Sequence, residues 1–203
     1  MIETSTAAFL EMVAGRRGHF RLESGHHSGL WLDLDPLFAD PRRINPFVAA
    51  LTAALRPYAV ATVCGPLLGG AFLAQLVAHS LGAAFCFTER VMPSQAGGLY
   101  QASYRLPPAF ADRLAGQRVA IVDDVMSAGS ALRGTYAELQ AHAAVPVVAG
   151  ALLVLGSTGA GFFEQRGVAV EAVARDEYDL WLPDGCPLCA AGLPLEDVAA
   201  PAA

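Results

Sequence analysis

Two kinds of apolar segment alternate along most of the chain: short, nearly continuous runs and longer stretches with helical spacing. The short runs predict strands at 60–64, 83–88, 118–122, 145–155 and 168–174. The longer stretches predict helices at 6–14, 41–55, 71–81, 130–141 and 161–166. Strands that alternate with helices indicate an α/β fold with a doubly wound, mostly parallel sheet flanked by helices. Nearly continuous apolar strands are typical of such a sheet, because both of its faces are buried.

Two parts of the chain depart from this alternation. Residues 89–117 have no clear periodicity, and an excursion of this length inside a compact domain is usually functional, mobile or a hairpin. Residues 20–34 contain strand-like pieces around Ser24 and Gly25. The length of 203 residues suffices for one domain with a sizeable core and a small appended subdomain.

Composition excludes several classes of protein. The net charge is -6, lysine is absent, and all 13 basic residues are arginines without a basic run, so we expect no nucleic-acid partner. No uninterrupted apolar run is long enough to span a membrane, so we expect no membrane partner. The N-terminus carries Glu3 and Glu11 and lacks a basic leader, and the four cysteines do not form a disulfide framework. We therefore expect a cytoplasmic protein.

The strongest chemical signal is V-D-D-V-M-S-A-G-S, where Asp123 and Asp124 follow a buried strand and a glycine-containing loop leads into a helix. Ligands of open α/β sheets bind at the carboxyl ends of strands, and a helix N-terminus offers N–H groups to phosphate. Ser127 and Ser130 add hydroxyls, and the carboxylates suit sugar hydroxyls or hydrated Mg²⁺. The plain alternative is a strand ended by aspartate and a serine-capped helix. Paired carboxylates at the end of a buried strand are costly without partners, which favours a ligand site.

This segment resembles the phosphoribosyl pyrophosphate (PRPP) motif of the type I phosphoribosyltransferases, and Ala128 after Ser127 is most similar to the orotate phosphoribosyltransferases. The resemblance implies that Asp123 and Asp124 contact the ribose hydroxyls and that the following residues surround the 5-phosphate. The implied PRPP-binding set is Asp123, Asp124, Val125, Met126, Ser127, Ala128, Gly129 and Ser130.

Two further segments carry the resemblance. C-G-P-L-L-G-G is similar to the family's pyrophosphate loop, although an ordinary strand-to-helix turn would look alike; the implied residues are Gly65, Pro66, Leu67, Leu68 and Gly69. F-R-L-E-S-G-H-H-S-G-L-W-L-D resembles the N-terminal segment that forms part of the base pocket, although Trp31 would also suit a core. The implied base-pocket residues in this segment are Ser24, Gly25, Trp31 and Leu32, and Ser157, after the predicted strand at 145–155, is a fifth.

The resemblance covers about 20–174 and implies a type I phosphoribosyltransferase fold with a small hood formed by the N-terminal segment. We predict a hood segment at 1–40, a phosphoribosyltransferase core at 41–180 and a C-terminal tail with C-x-x-C at 181–203. It implies Mg²⁺-dependent transfer from PRPP to a nucleobase, with release of pyrophosphate, by a homodimer. Orotate is the leading acceptor. Another base, such as a purine or uracil, and a non-catalytic PRPP sensor are the alternatives.

Three departures keep the acceptor open. The family's basic catalytic loop corresponds here to a stretch without lysine or histidine, in which only Arg90 and Arg105 are left to meet pyrophosphate; either is otherwise a solvated charge. Glu23 stands where orotate enzymes often have a lysine, and its charge would repel an anionic base. The arginine expected after Leu155 for the orotate carboxylate is absent.

The cysteine pair of C-P-L-C is a separate question. Cys186 and Cys189 supply two thiolates, whereas structural zinc takes four ligands, so a zinc site would need a second pair, for instance from a dimer partner. An inert turn in the tail is the alternative. His26 and His27 are adjacent and would face opposite ways in a strand, so that one reaches the site or both are polar surface residues.

Overall fold

The computed structural model describes residues 4–91 and 99–198, which form two sheets and flanking helices. The strands are β1 Ala14–Arg21, β2 His27–Asp33, β3 Thr62–Pro66, β4 Ala84–Val91, β5 Ser103–Arg105, β6 Arg118–Met126, β7 Val145–Leu155, β8 Ala169–Asp176 and β9 Glu196–Asp197. The helices are α1 Thr6–Leu10, α2 Pro41–Leu55, α3 Gly69–Leu81, α4 Pro108–Ala111, α5 Ser130–Ala141, α6 Thr158–Glu164 and α7 Pro187–Ala190. Short 3₁₀ turns cover Asp35–Phe38, Arg56–Tyr58 and Pro183–Gly185.

The larger sheet has six strands in the order β5-β4-β3-β6-β7-β8. All neighbouring pairs are parallel except β4 and β5, which are antiparallel. One face packs against α2 and α3, and the other against α5 and α6. In β6, Ala120 and Val122 face the first core while Val119 and Ile121 face the second, so the strand is buried on both sides. The predicted α/β fold class is confirmed.

A second sheet of three strands, β2-β1-β9, forms the hood. Strands β1 and β2 make an antiparallel hairpin, and β9 pairs in parallel with β1. The predicted N-terminal hood and C-terminal tail therefore share one sheet. The division of the chain into 1–40, 41–180 and 181–203 stays a prediction.

Several predicted elements have the observed bounds, and others differ for identifiable reasons. The helices at 41–55 and 130–141 and the strand at 145–155 are confirmed. The first helix ends at Leu10 rather than near Gly15, because residues from Ala14 onward pair with β2. The excursion at 89–117 proves to be the end of β4, the return strand β5 and the helix α4; its residues 92–98 lie outside the described part of the chain.

The end of β6 is the difference that matters most for the site. The strand was predicted to stop at Val122, with the aspartates after it, but it continues to Met126. Pairing with β7 persists, since Asp123 lies opposite Ala151 and Met126 opposite Val154. The aspartates are thus held by the sheet itself. Within residues 4–91 and 99–198, no helix is both long enough and apolar enough to cross a bilayer.

Candidate active site

A cavity of about 340 Å³ lies between the hood and the carboxyl ends of β6 and β7. Residues of the hood, of β6 and of the loop that follows it meet here. The wall consists of Leu22, Glu23, Ser24, Trp31, Leu32, Leu34, Asp123, Asp124, Val125, Ser127, Ala128, Ser130, Ala131, Leu155, Tyr178 and Val198. This position matches the rule that ligands of open α/β sheets bind beyond the carboxyl ends of strands.

The floor of the cavity carries the two carboxylates. The backbone N–H of Asp124 donates to Oδ1 of Asp123 over 3.0 Å, and that of Val125 donates to Oδ1 of Asp124 over 2.7 Å. Burial raises the pKa of both groups, and the charge of Asp124 raises the pKa of Asp123 further. No arginine or histidine of the described residues forms an ion pair with either carboxylate. Ionising both carboxylates is therefore costly until further donors or a cation arrive, a role that sugar hydroxyls or a hydrated cation would fill.

The predicted pyrophosphate loop borders the same carboxylates, although none of its residues lines the cavity. It consists of the end of β3, Leu67 and Leu68, which are joined by a cis peptide bond, and the first residue of α3. A Cβ atom added at Gly69 would collide with Oδ2 of Asp124, and one added at Gly70 would lie 2.8 Å from Oδ1 of Asp123. Two segments more than 50 residues apart in sequence thus meet at the aspartates, and only residues without a side chain fit between them.

The loop from Ser127 to Ser130 leads from β6 into α5. Gly129 has φ of +73°, a left-handed conformation that favours glycine, and α5 begins without a side-chain cap. The first N–H groups of α5 are therefore free of a capping side chain and point along the positive end of the helix dipole. Gly159 braces the loop by donating its N–H to the carbonyl of Ser127 over 2.9 Å. Met126 is fully buried, so its side chain belongs to the core.

The predicted base-pocket residues divide into two groups. Ser24, Trp31 and Leu32 line the cavity. Ser157 instead lies at the start of α6, beside two other surface clefts, and Gly25 adopts φ of +81° outside the cavity wall. The structure therefore brings together three of the five.

Glu23 connects the hood to two parts of the core: the hairpin of β4 and β5, and the start of α5. Its Oε1 accepts hydrogen bonds from Tyr104 over 3.0 Å and from Ser130 over 3.1 Å, and its Oε2 lies 3.4 Å from Nε of Arg90. Burial, followed by the charge of Glu23, raises the pKa of Tyr104. From the sequence, only the repulsion between Glu23 and an anionic base could be expected; these contacts could not, because the partners lie far apart in the chain.

The two candidate arginines have different positions. Arg90 on β4 is paired with Tyr104 on β5, so both side chains share the face of the hairpin that contacts Glu23. Arg105 is paired with Glu89 and points to the opposite face, where it is exposed. The structure brings Arg90, but not Arg105, to the site.

Two adjacent histidines and one tyrosine have positions that the sequence did not predict. His26 and His27 are both buried, at 7% and 5% exposure, so the interpretation as polar surface residues was wrong. His26 contacts the cavity residue Ser24, with 3.1 Å between Nδ1 and Oγ. Tyr178 lines the cavity and donates to the carbonyl of Leu30 over 2.6 Å, and burial raises its pKa. No sequence pattern marked Tyr178.

Comparison with solved structures identifies the class of fold. An orotate phosphoribosyltransferase from Aeropyrum pernix superposes with a TM-score of 0.64 at 24% identity, covering 83% of this chain and 92% of that one. An adenine phosphoribosyltransferase from Thermoanaerobacter pseudethanolicus gives 0.64 at 17% identity, covering 84% and 99%. The fold is that of the type I phosphoribosyltransferases, as the sequence resemblance implied.

Sequence relatives define the family within that class. The chain is 31% identical over 182 residues to an orotate phosphoribosyltransferase from Thermotoga maritima, covering 88% of each, and 32% identical over 193 residues to one from Desulforamulus reducens, covering 95% and 91%. No protein-family model matches the chain. The chain belongs to the orotate phosphoribosyltransferase family, and it is a phosphoribosyltransferase.

Proposed function

We propose that the chain transfers the phosphoribosyl group of PRPP to orotate, giving orotidine 5′-monophosphate and pyrophosphate. The observation that carries the proposal is the pair Asp123 and Asp124, which face a cavity of about 340 Å³ beside a loop leading into an uncapped helix. Family membership supports orotate as the acceptor.

Each part of the site has a role in this reaction. Asp123 and Asp124 accept hydrogen bonds from the ribose hydroxyls, which add to the single backbone N–H that each carboxylate already accepts. The N–H groups at the start of α5 and the hydroxyl of Ser127 hold the 5-phosphate. The base stacks in the part of the cavity lined by Trp31 and Leu32.

The residues also fit a magnesium ion that arrives with the substrate. Mg²⁺ is usually held by one or two carboxylates together with water and substrate phosphates, and the unpaired carboxylates at the cavity floor match that pattern. The bound ion neutralises charge on the pyrophosphate. Asp123 and Asp124 would hold it through water and the sugar hydroxyls.

The reaction is a displacement at ribose C1. The bond from C1 to the pyrophosphate oxygen breaks and its electron pair leaves with pyrophosphate. A ring nitrogen of the base forms the new bond to C1, and its N–H proton passes to water or to the departing pyrophosphate. Within the loop, Pro66 has no N–H and Leu67 donates its own to the carbonyl of Thr88, so the N–H groups of Leu68 and Gly69, at the uncapped start of α3, hold the leaving group. Arg90 adds positive charge from the hairpin of β4 and β5. Positioning and electrostatics carry the rate, so no proton-transferring side chain is required.

A panel of acceptors tests the proposal. Pyrophosphate release from PRPP and Mg²⁺ is measured with orotate, uracil, adenine and hypoxanthine in parallel. Release that depends on orotate supports the proposal. Release with another base instead would identify that base as the acceptor. The physical reason would be the negative charge of Glu23 near the base pocket, which repels an anionic base such as orotate. Binding of PRPP without release from any base would indicate a sensor.

The double variant Asp123→Asn with Asp124→Asn is expected to lose release, and Asp112→Asn, at an exposed aspartate after α4, is the matched control. Release that persists in the double variant would contradict the role assigned to the pair.

We also propose a homodimer. Three exposed apolar side chains, Leu67, Leu68 and Phe72, lie together at the pyrophosphate loop and the start of α3, at 37%, 64% and 45% exposure, and a neighbouring subunit would cover them. Light scattering after size-exclusion chromatography tests this, with Leu68→Ser and Phe72→Ser expected to yield monomers.

The cytoplasmic location stays a prediction, which cell fractionation tests.

A further inference from the structure

Four potential metal ligands converge at the edge of the hood, outside the cavity. His19 comes from β1, His27 from β2, and Cys186 and Cys189 from the start of α7. One ligand atom from each residue lies within 4.8 Å of all the others. The pairs are separated by more than 150 residues in sequence, so the convergence is a product of the fold.

The distances match those between ligands of one tetrahedral ion. Zinc bonds of about 2.3 Å to sulfur and about 2.05 Å to nitrogen place ligand atoms about 3.3 Å apart for two nitrogens and about 3.6 Å apart for nitrogen and sulfur. Here Nε2 of His19 lies 3.1 Å from Nδ1 of His27. It lies 3.4 Å from Sγ of Cys186 and 3.6 Å from Sγ of Cys189, which is 3.3 Å from Nδ1 of His27.

A backbone contact orients one of the imidazoles for this role. Nδ1 of His19 lies 2.9 Å from the carbonyl oxygen of Leu193, which can only accept, so Nδ1 carries the proton. The lone pair of His19 is then on Nε2, the atom that faces the two sulfurs. Metal-binding histidines are typically fixed in this way by a hydrogen bond from the other ring nitrogen.

The donor set and its burial favour zinc among the metals. Two sulfur and two imidazole donors complete a tetrahedral site without an open position, which is typical of structural rather than catalytic zinc. His19, His27 and Cys186 are exposed by only 4%, 5% and 3%. A dimer partner was one expected source of the second pair of ligands, but this chain supplies all four.

We propose that this cluster binds one structural zinc ion and fastens the C-terminal segment to the hood. Strand β9 contributes only two residues to the hood sheet, so pairing alone holds this segment weakly. The ion would join α7 to both strands of the hairpin. Strand β2 also carries Trp31 and Leu32, so the ion would fix the strand that forms one wall of the cavity.

Two other states would bring the same atoms together. A cluster of thiols and imidazoles joined only by hydrogen bonds needs no metal, and a disulfide between Cys186 and Cys189 would remove both thiolates. Metal content, cobalt spectroscopy and thiol counting separate these states from the proposed one, and none of them depends on catalytic activity.

The first test is the metal content of the untagged protein, purified without chelator and measured by plasma mass spectrometry. The proposal expects about one zinc per chain, falling to less than about a tenth in Cys189→Ser and in His27→Gln. His142→Gln, at a histidine outside the cluster, is the matched control and should keep its zinc.

The second test uses the parent protein alone, so it does not depend on whether the variants fold. Cobalt added to the zinc-depleted, reduced protein should give the intense visible bands of a tetrahedral site and the thiolate-to-cobalt charge-transfer band in the near ultraviolet. A folded parent protein without zinc and without cobalt bands would overturn the proposal, as would an intact Cys186–Cys189 disulfide in the native protein. Failure of catalysis with zinc bound would instead count against the proposed function alone.

Discussion

Adding one methyl group at Gly69 should separate ligand binding from folding. Gly69 is the first residue of α3, and a Cβ atom there would collide with Oδ2 of Asp124 and lie 3.0 Å from its Cγ. The carboxylate must therefore turn away. Its bond from the N–H of Val125, now 2.7 Å long, would be distorted at the same time.

The magnitude follows from the bonds that Asp124 makes to the sugar. A hydrogen bond to a charged group contributes about 1.5–3 kcal/mol, so losing one raises the Kd for Mg²⁺-PRPP by about 10- to 150-fold. Alanine is favoured over glycine inside a helix by at most about 1 kcal/mol, which offsets part of the cost of the collision. The folded protein should thus survive with impaired binding.

Calorimetric titration with Mg²⁺-PRPP and thermal unfolding of Gly69→Ala provide the two readouts. Gly161→Ala is the matched control, because it is also a helical glycine and a Cβ atom there meets nothing within 4 Å. The control should bind as the parent does and be slightly more stable. Parental affinity in Gly69→Ala would refute the role of Asp124 and its contact with α3.

Three further predictions follow from the same geometry. Burial raises the pKa of Asp124, so the free energy of unfolding of the parent falls as the pH rises above the ordinary aspartate range. Asp124→Asn should therefore raise Tm at pH 7 by about 2–4 °C for each kcal/mol of burial cost that it relieves, and the difference in Tm between variant and parent should shrink as the pH is lowered. Arg90→Ala should lower kcat/KM at least about tenfold and Arg105→Ala little, and steady-state kinetics showing the reverse would contradict the placement. Glu23→Gln should lower the KM for orotate by about 2- to 5-fold, with Glu89→Gln as control; an unchanged KM would mean that this charge does not reach the base.

Local patterns were sufficient to predict most of the core. Helix α2 begins at Pro41 after the capping residue Asp40, and its apolar spacing matches the face that it buries, so both of its bounds could be predicted. The aspartate pair and the loop after it are contiguous, so the sequence alone was sufficient to mark them as a candidate sugar-phosphate site. The end of β6 was misplaced because pairing with β7, a long-range contact, holds the aspartates in the strand.

The hood, and the part of the site that the hood contributes, depend on long-range contacts that no local sequence pattern indicates. Strand β9 has only two residues and no periodicity of its own. Glu23 meets Ser130 and Arg90 only after the hood has packed on the core. His19 was not recognised as a ligand, because its sulfur neighbours lie near the other end of the chain. A C-x-x-C pair together with histidines at positions 19 and 27 was the available signal.

The most direct test of the central claim is product formation from PRPP, Mg²⁺ and orotate, followed by chromatography of the nucleotide together with pyrophosphate quantification. The account predicts orotidine 5′-monophosphate and pyrophosphate in equal amounts from the parent protein, and neither from the double variant Asp123→Asn with Asp124→Asn. Equal product from the double variant, or no nucleotide from the folded parent protein, would contradict it.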